Sequence, residues 1–205
     1  MPDDPKVKQS KLLIVEGNDE IRVFKSLSKY LNIQDLEVRH YGGNSKLRQF
    51  LKTFSSLSEF GLFRSLAVVA DANSNRAGRE QQIRDALSNA SLPVPSRPLE
   101  VVSNGDLKVA YLVVPHNVEG TMIEDVCLDS VKTDPAIECV DLYFECVSQA
   151  DIPGPREVWM SKARVHAFLA SRDRPDLRLG EAVEKGIWEF DTDAFLPLKE
   201  LLRIL

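Results

Sequence analysis

Several familiar signatures are missing from this sequence, and each absence narrows what the chain can be. No apolar stretch approaches the roughly 20 residues that a membrane-spanning helix needs. The opening Met1-Pro2-Asp3-Asp4-Pro5 has neither the basic nor the apolar region of a secretory signal. No Walker loop and no G-x-S-x-G elbow is present, and the lack of G-x-G-x-x-G after the first apolar run weighs against a dinucleotide enzyme. Cys127, Cys139 and Cys146 form no C-x-x-C pair, and His40 and His166 have no partners at metal spacing, so zinc is not expected. Positive charge is also short: 26 Lys and Arg against 31 Asp and Glu give a net charge of −5. That balance argues against a protein that grips nucleic acid by bulk charge. It leaves open phosphate chemistry that depends on a bound divalent ion, often the largest charge in such a site.

What is present suits a soluble α/β protein. The chain has 205 residues, 43% hydrophobic and 28% charged, which is enough for a substantial core. Cys139 and Cys146, seven apart, would share a helical face with Leu142 and Tyr143 and are expected as core thiols of a reducing compartment. A cytoplasmic location is the corresponding expectation.

Along the chain, a polar lead-in over 1–10 precedes a strand over 11–16. A helix follows, with Asn18 as its expected cap and Ile21, Phe24, Leu27 and Leu31 on one face. A second strand is expected over 36–41. The next helix carries a stripe of Leu47, Phe50, Leu51, Phe54 and Leu57. A third strand over 65–70 leads to a helix opened by Ser74 or Asn75, with Arg76, Arg79 and Arg84 outside and Ile83, Ala86 and Leu87 inside. The runs 99–103 and 109–114, joined by a Gly105-Asp106 turn, fit a hairpin, or only the second joins the sheet. The strand–helix alternation is that of βαβ units on a mainly parallel sheet. Beyond residue 120 the pattern is helical, over roughly 121–130, 135–149, 156–170, 177–184 and 192–204.

Chemistry-bearing residues gather where apolar runs end. Leu12-Leu13-Ile14-Val15 runs into Glu16-Gly17-Asn18-Asp19-Glu20, and Leu66-Ala67-Val68-Val69-Ala70 runs into Asp71-Ala72-Asn73. A charge directly after four buried aliphatics is costly unless paired, and the carboxyl ends of parallel strands form the ligand crevice of open α/β sheets. Hard oxygen ligands converging there suit Mg²⁺ or Mn²⁺. Each cluster also has a plainer reading. Asp19 and Glu20 complement a helix N-terminus, and Asp71-Ala72-Asn73 fits an Asx turn, although extended alternation would put Asp71 and Asn73 on one side. Thr121-x-x-Glu124 fits a capping box, with Asp125 beside it complementing the helix dipole. Gly42-Gly43-Asn44-Ser45, between a strand and a helix, is a candidate phosphate cradle or a steric need of the turn. His116 is a candidate base or ligand. Lys162 shares an apolar helical face with Val158, Val165 and Leu169, so it either snorkels to the surface or points into an anion site.

Taken in order, these motifs resemble the Toprim domain of topoisomerases, bacterial primases, recombination-associated proteins and overcoming-lysogenization-defect (OLD) nucleases. Leu13-Ile14-Val15-Glu16-Gly17, Val68-Val69-Ala70-Asp71-Ala72-Asn73, Val113-Val114-Pro115-His116-Asn117 and Gly120-Thr121-Met122-Ile123-Glu124-Asp125 are similar to a small bacterial Toprim-like family of unknown function related to the OLD nucleases. The similarity extends to Lys162–Ala170. It implies a Toprim-like α/β core over 1–130, with a helical C-terminal extension over 131–205 packed on it. It further implies Mg²⁺ or Mn²⁺ at Glu16, Glu20, Asp71, Asn73 and Glu124, with Glu16 as acid/base or ligand. Lys162 would be a charge-stabilising residue for phosphodiester cleavage. DNA or RNA is the implied substrate, and an ATPase or other protein is the implied partner if the domain is instead a non-catalytic regulatory module. Asn73 stands where the family pattern has a second aspartate. An amide carbonyl still ligates Mg²⁺, but one negative charge is lost.

Overall fold

A computed structural model of the chain describes residues 9–150 and 152–205. Most of the expected lead-in therefore lies outside the described residues. Five strands form one sheet: β1 (Lys11–Val15), β2 (Leu36–His40), β3 (Ser65–Asp71), β4 (Val102–Asn104) and β5 (Leu107–Val114). Their order is β2-β1-β3-β5-β4. All neighbours are parallel except the short edge strand β4, which pairs antiparallel with β5 and completes the expected hairpin over fewer residues.

The continuous apolar runs of β1, β3 and β5 follow from burial on both faces, as parallel strands require. Leu13, Val15, Val69 and Leu112 face one layer, and Leu12, Ile14, Val68 and Tyr111 face the other. Each fully buried aliphatic contributes about 1.5–3 kcal/mol, so the strands hold the sheet whatever their loops do. Helices α1 (Asn18–Tyr30), α2 (Leu47–Ser55) and α3 (Arg76–Asn89) connect the strands. After β5 come α4 (Ile123–Ser130), α5 (Pro135–Gln149), α6 (Met160–Ala170), α7 (Leu179–Glu184) and α8 (Leu196–Ile204). Val23, Phe24 and Leu27 of α1 share one apolar cluster with Cys127, Val165, Phe168, Val183 and Leu201. Leu47, Leu51 and Phe54 of α2 pack with Ile83 and Leu87 of α3 on the opposite face.

That division positions the site. The chain leaves β1 through α1 to reach β2 on one side, then returns through α2 on the other face to β3. The connections diverge between β1 and β3, which opens a crevice beyond their carboxyl ends.

Several local expectations change. Gly17, not Asn18, is the residue before α1, and Asn18 is its first helical residue. Asn75 caps α3 by accepting from Gly78 N–H at 2.9 Å. The expected capping box at α4 uses Asp125 rather than Glu124: its Oδ2 accepts from Thr121 N–H (2.7 Å) and Met122 N–H (3.0 Å). Gly120 makes room for this, since a Cβ there would lie 2.3 Å from the Asp125 carboxyl carbon and its φ is +136°. Short 3₁₀ turns at Glu157–Trp159 and Asp193–Phe195 precede α6 and α8. Cys127 is a core thiol, but Cys139 and Cys146 are exposed together with Leu142 and Tyr143. The face of α5 that turns inward carries Val140, Ala136 and Phe144 instead. Among the described residues, no helix is long and apolar enough to cross a membrane.

Candidate functional site

A cleft of about 910 Å³ lies beyond the carboxyl ends of β1 and β3, and Glu16, Glu20, Asp71, Asn73, Glu124 and Lys162 all line it. The residues proposed for a site from sequence are thus brought together from five parts of the chain. Glu16 directly follows β1, Asp71 ends β3, Glu20 lies in the first turn of α1, Glu124 in the first turn of α4, and Lys162 in α6. His116 and His166 do not line this cleft, whereas His40 does.

The carboxylates are crowded and poorly hydrated. Burial pushes the Glu20 carboxyl up to about 7, and the charges of Glu124 and Glu16 add to the rise. Asp71 is raised well above the usual carboxylate range, first by burial and then by Glu20, Glu124 and Glu16. Its Oδ1 accepts from Ile123 N–H at 3.1 Å, which ties β3 to the start of α4. Glu124 is buried, and its Oε1 is paired with Lys162 Nζ. Its Oε2 has no hydrogen-bond partner. Burial draws the Lys162 ammonium down, but Glu124, Asp71 and Glu20 outweigh that and the net shift is upward. Lys162 therefore points into the cleft rather than snorkelling away, while Val165 and Leu169 of the same helix stay in the core.

Glu16 has a separate arrangement built on a residue that the sequence reading put outside. Arg79 is only 5% exposed. Its guanidinium donates to Glu16 Oε2 at 2.6 Å and to the Asp71 carbonyl at 2.8 Å. The Tyr41 hydroxyl also donates to Glu16 Oε2, at 3.2 Å. Arg79 thus clamps the ends of β1 and β3 together. The signal was present in its spacing, because Arg79 stands four, seven and eight residues before Ile83, Ala86 and Leu87 and so shares their buried face. Arg76 is turned inward too, donating to the carbonyls of Val113 (3.1 Å) and Pro115.

Two expectations about backbone are corrected here. Asn73 is not in an extended segment. Its φ is +48°, a left-handed conformation that asparagine tolerates, and its N–H donates to the Thr121 carbonyl at 2.7 Å. The turn, not strand alternation, brings Asn73 to the cleft. The Gly42 and Gly43 amides are not free to cradle a phosphate, since both donate to the Glu16 carbonyl, at 3.1 and 3.2 Å. They fix the backbone at Glu16 instead.

The donor set fits a hard divalent cation in its chemistry. Glu16, Glu20, Asp71, Glu124 and the Asn73 amide face a common space, Glu20 and Asp71 are pushed up there, and one buried carboxylate oxygen is unpartnered. The ligands are not pre-assembled. Among the described residues, no group of three acidic, histidine or cysteine side chains is closed into a ready metal cage. Binding would require Lys162 and Glu124 to part or shift.

A family profile described as "Protein of unknown function (DUF3226)" matches residues 10–205. The chain belongs to this family. The match spans the sheet, the cleft and all of the C-terminal helices, so Glu16, Glu20, Asp71, Asn73, Glu124, Lys162 and Arg79 all fall within the family's span. Comparison with curated proteins and with solved structures gives no match.

Proposed function

We propose that this chain is a Toprim-like, Mg²⁺- or Mn²⁺-dependent nuclease or related phosphotransferase acting on nucleic-acid phosphodiesters. The observation that carries the reading is the convergence of Glu16, Glu20, Asp71 and Glu124 beyond β1 and β3, with Glu20 and Asp71 both pushed up by burial and by neighbouring carboxylates. A cluster of mutually repelling acids is stabilised by a cation more than by water. Asp71, Glu20 and Glu124 would hold the ion, with Asn73 as a neutral oxygen donor. When bound, the ion would supply charge neutralisation for the attacking and leaving oxygens of an in-line displacement.

The chain's own groups supply the rest. Arg79 and Tyr41 both donate to Oε2 of Glu16, leaving Oε1 without a partner among the described residues. That oxygen would be the one to accept a proton from a nucleophile. Lys162, 41% exposed at its side chain, is a cation of the cleft able to meet a substrate phosphate once freed from Glu124. The test is cleavage of single- and double-stranded DNA and RNA with Mg²⁺ or Mn²⁺. Stimulation by the ion and abolition by Glu16→Gln are expected. No metal binding by calorimetry, with no cleavage of any nucleic acid, overturns the proposal.

A second reading has its own observations. The Lys162–Glu124 and Arg79–Glu16 pairs already balance part of the charge, and Asn73 removes one acid from the expected pattern. These favour a non-catalytic module that binds nucleic acid or a protein partner such as an ATPase. Asn73→Asp separates the readings. Aspartate also tolerates the left-handed turn, so a gain of metal-dependent cleavage from an inactive parent marks a degenerate site. Robust activity unchanged by the substitution makes Asn73 a sufficient ligand.

A further inference from the structure

The segment between Glu37 and Glu59 contains no acidic residue, yet it holds Arg39, Lys46, Arg48 and Lys52 in a chain whose net charge is −5. The fold gathers this segment at the end of β2 and along α2, beside the acidic cleft. A groove of about 420 Å³ runs there, its walls mainly Tyr41, Phe50, Phe54 and Leu57, with Lys46 at its edge. Phe50 is half-buried and stacks on Phe54 with ring centres 5.6 Å apart and 23° between planes. Arg39 already lies over Phe54, 4.4 Å from its centre, and is paired with Glu37 and Glu59. Lys46 and Lys52 are exposed and make no ion pair among the described residues.

Groove and cleft meet at Tyr41, Gly42 and Lys46. The Tyr41 ring lines the groove while its hydroxyl bonds Glu16. Gly42 lines the cleft, and Lys46 Nζ lies 3.8 Å from where a Gly42 Cβ would stand. A cation of the groove thus stands beside a residue of the cleft. Tyr41 and Phe54 are each only 4% exposed and floor the groove, so Phe50 is the ring whose face is partly open. An accessible ring beside unpaired cations is what a single strand uses: each base offers a π-face, and the backbone follows positive charge. A duplex keeps its base faces stacked inside and would reach this groove only by flipping a base.

We propose that a base of single-stranded nucleic acid stacks on Phe50 in this groove while Lys46 holds an adjoining phosphate, which makes a single strand the substrate class delivered to the acidic cleft. This rests on the nuclease reading for its purpose but not for its measurement. The overall negative charge is no obstacle, because no acid lines the groove and unpaired Lys46 and Lys52 stand on the α2 side.

The experiment is fluorescence anisotropy in EDTA at low salt, using the full chain and labelled oligothymidylate or oligouridylate of about 20 residues, a length covering the usual 4–16-nucleotide footprint, with the matching duplex as a second probe. The single strand is expected to bind at least about tenfold tighter than the duplex. Phe50→Ala is expected to weaken it by about tenfold or more, within the range for loss of one stacking partner. Lys46→Gln, at an exposed position that leaves the fold intact, is expected to weaken binding and to flatten its salt dependence by about one phosphate contact. Equal affinity for duplex and single strand overturns the proposal, as does binding unchanged in both variants. Absence of oligonucleotide binding, including a case where Phe50→Ala instead disrupts self-association or a protein complex, also overturns it. Because EDTA removes any ion, failure of the metal reading leaves these bindings intact, and cleavage of duplex without single-strand binding overturns only this inference.

Discussion

Glu20→Gln should make the metal-free protein more stable at neutral and alkaline pH. Glu20 is only 8% exposed, and its carboxyl is pushed from the ordinary 4.5 up to about 7 by burial, with Glu124 and Glu16 adding to it. An acid whose folded-state pKa lies above its unfolded one stabilises the fold while protonated. That contribution is complete below about 4.5 and is lost as pH rises through about 7. At about 1.4 kcal/mol per tenfold change in proton affinity, the rise corresponds to about 3 kcal/mol. This is an upper bound, because Asp71 answers to the same neighbours and protons redistribute between them. For a chain of this size, 3 kcal/mol amounts to about 6–12 °C in Tm. Denaturant unfolding in EDTA at pH 4.5 and pH 8 reads it directly. Wild type should lose stability across that interval, Glu20→Gln should lose less, and the two should lie closest at the acidic end. Parallel pH curves, or a variant less stable than wild type at pH 8, would refute the crowding of acids in the cleft.

The Arg79 clamp makes a prediction of opposite sign. Arg79→Met strands the Glu16 carboxylate in a largely buried setting and should cost about 3 kcal/mol of stability by denaturant unfolding; a loss under 1 kcal/mol would deny Arg79 its structural part. Tyr41→Phe removes one neutral donor from the same oxygen and should cost no more than about 1 kcal/mol. Thiol reactivity tests the C-terminal helices independently. Cys139 and Cys146 are exposed and should react with a disulfide reagent quickly, whereas Cys127 is fully buried, with its thiol pushed up by that burial, and should react only on unfolding. One fast thiol instead of two would reverse the assignment of the outer face of α5.

The acids at strand ends were legible in the sequence because the energetics are lopsided: four aliphatics followed by a glutamate leave few outcomes besides a paired or ligating charge. Glu16 and Asp71 therefore emerged together with the α/β alternation that places them. Arg79 was harder to read because α3 is polar nearly all round, and an arginine among Glu, Gln and Asp passes for solvated surface. Its register with Ile83 and Leu87 was the remaining clue. Cys139 and Cys146 illustrate the opposite ambiguity. Helix α5 is apolar on two faces, and periodicity alone does not say that Val140 and Phe144 meet the core while Leu142 and Tyr143 remain outside. At α4, two acids in succession could each satisfy the capping pattern. The close fit of Asp125 over Gly120 decided between them, and that frees Glu124 for the cleft.

The central claim is that Asp71, Glu20 and Glu124 hold a divalent cation, and a crystal structure grown with Mn²⁺ tests it most directly through the anomalous signal of the ion. The account predicts an anomalous peak within ligating distance of Asp71 and at least one of Glu20 and Glu124, with Lys162 drawn away from Glu124. A cleft without such a peak at millimolar Mn²⁺, with the Lys162–Glu124 pair intact, would contradict it.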